Sequence, residues 1–126
     1  KNINNFMPLR ILLIKEVGQD CASLDDGAKV LQLISPELFK GSTVEVDFKG
    51  VNLILTPFLN ACFGKLLERF GKEMTMTHVI MRNVSDQFLY RINGFIDRKD
   101  VEFTESRERK ILQDMFDEDD LTDTSL

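Results

Sequence analysis

Few residues in this chain of 126 have the type and position to do chemistry. Thr56-Pro57 opens an apolar-striped stretch, and a hydroxyl there is a candidate phosphoacceptor, because the N–H groups at a helix mouth favour negative charge. Asp47 and the Lys49-Gly50 pair precede it, and Asn60 follows it one helical turn on. Asp47, Lys49, Gly50, Thr56 and Asn60 form the candidate interaction or phosphorylation site. Asp47, Thr56 and Asn60 would equally line the cleft of a small enzyme or ligand-binding protein. Other chemistry is thinly supplied. His78 is the single histidine, and Cys21 and Cys62 stand apart with no C-x-x-C pair, so neither a zinc site nor a Cys–His nucleophile is expected. The glycines form neither G-x-G-x-x-G nor a phosphate loop. Asp25-Asp26 suits the first turn of a helix. The acidic run from Asp117 to Asp123 lacks the glycine of a calcium loop. The expectation is a protein without catalytic, cofactor-binding or metal-binding residues.

Periodicity supplies the elements that position these residues. Leu9–Ile14 reads as a strand, bounded by Pro8 and Gly18. Ser23 caps a helix carrying Leu24, Ala28, Leu31 and Ile34, and Pro36 is expected to stop it. Val44, Val46 and Phe48 alternate on one face of a strand, Lys49-Gly50 turns, and Val51–Leu55 is extended. Thr56 is expected to cap, and Pro57 to begin, a helix striped by Phe58, Leu59, Cys62, Phe63, Leu66, Leu67 and Phe70 and ended by Gly71. Cys62 is therefore core and Cys21 a loop residue. Thr77–Met81 reads as a strand, with His78 facing partly to solvent. Asn83 or Ser85 then caps a helix bearing Phe88, Leu89, Ile92, Phe95 and Ile96, and Thr104 caps a last short one with Ile111, Leu112, Met115 and Phe116. The expected fold is α/β (α+β): a small mixed sheet of about four strands with amphipathic helices packed on it.

Composition agrees with one domain. Hydrophobic residues make up 43%, and ten Phe against one Tyr and no Trp put the aromatic mass in groups suited to a core. Six of the 21 acids fall between Gln113 and Leu126, where there is no base, and the other fifteen nearly balance the sixteen bases. A near-neutral body argues against nucleic acid as a partner, and no apolar run reaches membrane-spanning length. Residues 1–116 are expected to fold, and 117–126 to form a disordered acidic tail. The first residues lack the apolar stretch of a signal peptide, and two unpaired cysteines suit a cytoplasmic location.

Val46-Asp47-Phe48-Lys49-Gly50-Val51, Pro57–Ala61, Gly64, Leu66 and Asn83-Val84-Ser85 resemble the STAS-like domain family, small bacterial and phage-associated domains similar to the STAS domains of anti-sigma-factor antagonists. The resemblance spans roughly Leu9–Arg98. It implies a regulatory protein-interaction module, with partner-switching against a GHKL-type ATPase or kinase. In the antagonists, a serine before the helix is phosphorylated by that kinase. Thr56 matches the first of two hydroxyl positions, and Pro57, which cannot accept phosphate, occupies the usual acceptor position. A third reading makes the chain an inhibitor or decoy acting through its acidic tail.

Overall fold

The computed structural model describes residues 7–124, with side chains through Phe116. Its elements are β1 (Leu9–Leu12), α1 (Leu13–Glu16), β2 (Asp20–Cys21), α2 (Leu24–Phe39), β3 (Val44–Asp47), β4 (Leu53–Ile54), α3 (Thr56–Leu59), a π-helical turn (Asn60–Gly64), α4 (Lys65–His78), β5 (Val79–Arg82) and α5 (Asp86–Thr124). The class is α/β, as expected. The strands form two small sheets rather than one of about four strands: β1-β3-β5, and the pair β2-β4. Every pairing among the described residues is parallel, the consequence of helices that carry the chain back between paired strands.

The register decides which residues share a face. Val44 lies between Leu9 and Val79, and Val46 between Ile11 and Met81; these side chains turn to the helices. Ile11, Val44, Val46 and Val79 are buried in one core with Phe48, Ile34, Phe58, Phe63, Leu66 and Ile92. The alternate residues, Arg10, Glu45, Asp47 and Arg82, share the other face. Phe58, Phe63 and Leu66 thus share a core with the Val44–Val46 face, while the segment carrying them packs most extensively on α2. Phe70 is only partly buried and meets the ring of Phe39 edge-on, at 4.9 Å between centroids.

Three helix boundaries depart from expectation. Pro36 lies inside α2, which continues to Phe39. The lost N–H bond and ring crowding are offset because one more turn buries Leu38 completely. The turn then closes at Gly41, whose φ is 76°, as Ser42 N–H donates to the Glu37 carbonyl at 2.8 Å. Gly71, with φ 84°, breaks α4 at the expected end of the helix, and Thr77 and His78 close the helical segment after it rather than begin β5, with His78 Nδ1 3.0 Å from the Met74 carbonyl. The helix expected to begin anew at Thr104 is the continuation of α5. Its backbone enters the segment expected to be a disordered tail; the side chains of 117–126 lie outside the described ones.

Gly27 lets α2 cross closely over the start of α3. A Cβ there would stand 2.5 Å from the Phe58 carbonyl oxygen and 2.8 Å from the Ala61 Cβ. Backbone cannot swing aside, so α2 and α3 would have to separate. Gly27→Ala should lower stability by about 1–3 kcal/mol even though alanine favours helix. Urea denaturation measures it, and a variant as stable as wild type would mean the helices are not so closely crossed.

Candidate functional site

Asp47 ends β3, the central strand of the larger sheet, and is 4% exposed. Three donors satisfy it. Arg10 Nη2, from β1, donates to Oδ2 at 2.8 Å. The Lys49 backbone N–H and the Asn83 side-chain amide each donate to Oδ1 at 2.9 Å. The Asn83 hydrogen bond, the Lys49 N–H and the Arg10 charge together hold the carboxyl below its ordinary range, against the opposing effect of burial. Glu45, two residues back on the same face, lies 3.7 Å from Arg10 and 3.5 Å from Arg82. The resulting lattice of charges crosses all three strands.

This lattice fixes the turn that follows. Val51 N–H donates to the Phe48 carbonyl at 3.0 Å, with Lys49 and Gly50 at the corner. Gly50 has a φ of 83°, which favours glycine there. Asp47 is thus the anchor of an exposed Lys49-Gly50 corner. Asn83 adopts a φ of 53° just after β5, and this aims its amide at Asp47. Ser85 caps α5 instead, accepting from Phe88 N–H at 3.1 Å.

Thr56 and Asn60 lie in a different setting. Thr56 is exposed and is the first residue of α3 rather than its cap. Leu55 holds the cap position without a side-chain bond, because its N–H is engaged by the Cys21 carbonyl at 2.9 Å and keeps it extended. Thr56 and the half-buried Asn60 share a depression of about 200 Å³ with Phe95, Arg98, Lys99 and Glu102 of α5. Asp47, Lys49 and Gly50 do not line it. The five candidates therefore fall into two groups, an anchored turn and a helix start roofed by Arg98 and the Lys99–Glu102 ion pair, whose Nζ and Oε1 lie 3.2 Å apart. Arg98 and Lys99 were not singled out in the sequence, because only the packing of α5 over the π-turn brings them to Thr56. A wider depression of about 860 Å³ lies between β4 and α5, lined by Ile54, Phe88, Arg91, Gly94 and Arg98 among others. This depression was not anticipated from the sequence; the spacing of Gln87, Arg91, Gly94 and Arg98 along one helical face is the signal that could have found its wall.

The cysteines are packed away from both places. Cys62 is buried as expected, and Cys21 is a fully buried residue of β2 rather than a loop residue. Burial, with Asp26 and Asp20 nearby, pushes the Cys21 thiol up to about 12; burial raises Cys62 too. Neither thiol should react with a disulfide reagent at neutral pH while the protein is folded, and both should react in denaturant. Rapid labelling of the native chain would contradict this packing. Among the described residues, no group of three or more His, Cys, Asp or Glu is gathered in a way that could hold a metal. No described helix is long and apolar enough to cross a membrane.

Parallel strands linked by helical crossovers, with a loop anchored at the end of the central strand, define a small α/β domain. A family model described as a STAS-like domain of unknown function (DUF4325) matches residues 26–88, half of the chain, and the chain belongs to that family. The match covers α2 from Asp26 onward, the Asp47 turn, the Thr56 helix start and Asn83. Neither a search of curated proteins nor one of solved structures found a match.

Proposed function

We propose that the domain is a non-enzymatic regulatory module whose protein partner, of the GHKL-type ATPase or kinase class, docks over the start of α3. One observation carries this reading: the exposed Thr56 lines the same depression as Arg98 and Lys99. A phosphoryl group transferred from ATP to Thr56 Oγ1, with ADP leaving, would have the Arg98 guanidinium nearby and would compete with Glu102 for Lys99. It would also change the charge of the surface presented to the partner. Phe58 and Leu59 are buried immediately behind Thr56, so the presented residues stand on a rigid base.

The test is a set of titrations against the partner recovered with the full chain, with circular dichroism as the folding control. Thr56→Glu should leave the fold intact and weaken binding by tenfold or more, if the partner accepts a neutral hydroxyl. Thr56→Ala should bind like wild type. It should cost less than the roughly 1 kcal/mol of a lost cap, since Thr56 makes no capping bond. Equal affinities for all three proteins would remove Thr56 from the interface.

A further inference from the structure

The two halves of α5 have different surroundings. Ile92, Phe95 and Ile96 enter the core, and Phe103 is the last residue of the helix packed against it. From Thr104 through Phe116 every side chain is exposed. Ile111, Leu112, Met115 and Phe116 stand there at 60%, 53%, 56% and 63% exposure. Their i, i+1, i+4, i+5 spacing gathers them into one stripe. At roughly 100° per residue, Ile111 and Met115 are turned about 100° from Ile92 and Ile96, nineteen residues earlier. The stripe therefore does not prolong the face that the domain itself covers.

Charge indicates what does cover it. Arg107, Arg109 and Lys110 precede the stripe, while Asp114 and the acids between 117 and 123 follow its midpoint. We propose that α5 pairs with α5 of a second copy of this chain, antiparallel, about a two-fold axis between Gln113 and Asp114. In that register Ile111 meets the second copy's Phe116, and Leu112 its Met115. Arg107 and Arg109 flank the stripe on opposite sides, and each falls within about one helical turn of the acidic positions 118–120 of the other copy. A parallel pair would instead lay six acids along six acids. Glu108 lies in line with the stripe and falls opposite the acidic position 119 of the other copy, a like-charge apposition that closes the stripe at each end. The apolar contact is thereby limited to about two turns, and the dimer is a concentration-dependent one.

Sedimentation velocity of the full chain, from about 1 to about 500 µM, tests this. The expected result is a monomer that shifts to a dimer with concentration. Leu112→Glu with Met115→Glu should leave a monomer throughout. These side chains are outside the core, and circular dichroism should show an unchanged fold. Arg107→Glu with Arg109→Glu should raise the dissociation constant tenfold or more while the stripe stays intact. A monomer at every concentration overturns the proposal, as does a dimer that survives the two stripe substitutions. A dimer indifferent to the charge reversal overturns the antiparallel register.

Discussion

Leu66→Ala is expected to lower the unfolding free energy by about 2–5 kcal/mol. Leu66 has no exposed surface and lies in the first turn of α4, where the π-turn delivers the chain back to α-helix. Phe58, Phe63 and Leu67 share its cluster, and Thr75 Oγ1 donates to its carbonyl oxygen at 3.4 Å. Backbone and neighbours are both held, so the space left by three carbons would close only in part. The upper half of the range applies if the cavity stays open, the lower half if Phe70, already partly exposed, moves in. Urea denaturation gives the figure, and an unchanged midpoint would mean that this helix is not part of the core.

What could be read from the sequence was what is decided locally. Ser23 caps α2 as expected, its Oγ accepting from Asp26 N–H at 3.0 Å, because the cap and its partner are three residues apart. The Val44-Val46-Phe48 face followed from alternation alone. The stripe from Phe58 to Phe70 was legible too, and it held an unread signal. Its apolar residues recur every four positions, and an α-helix turns such a row by about 40° at each step. The π-turn at Asn60–Gly64, with more residues per turn, takes up that drift, and the residues from Phe58 to Leu67 that make the stripe are all buried. Pro36 misled because a local penalty was weighed without the distant burial of Leu38. Strand β2, two residues long, is too short to show any period. The division of the candidate site was equally out of reach. Thr56 shares a depression with Arg98 and Lys99 only because α5 crosses the π-turn, and Asp47 meets Asn83 only because β5 pairs with β3 in the register that sets Asp47 beside Arg82.

Asp47→Ala should cost about 2–4 kcal/mol, less than the sum of three charge-assisted hydrogen bonds at roughly 1.5–3 kcal/mol each. The discount has a structural reason. The Arg10 side chain is half exposed and Asn83 lies at the surface, so both can return to water, whereas the Lys49 N–H is partly buried and loses its acceptor. Asp47→Asn should cost less than the alanine variant, because the amide oxygen can still accept from Lys49 N–H and Asn83. Its amide nitrogen would face the Arg10 guanidinium, donor against donor, so it should not reach wild type. The dependence on pH carries a sign that packing alone would not produce. The folded carboxyl titrates below the ordinary value of about 3.9, so its contribution is fully present above that value and is lost as pH falls through the lower, folded one. The stability difference between wild type and Asp47→Ala should therefore be constant from neutral pH down to about 5 and shrink steadily under more acid conditions. Urea midpoints for both proteins across that range measure it. A difference that persisted undiminished to the acid limit would mean that the alanine variant is weakened by lost packing, and that the charge of Asp47 does not hold the three strands and the Lys49-Gly50 turn together.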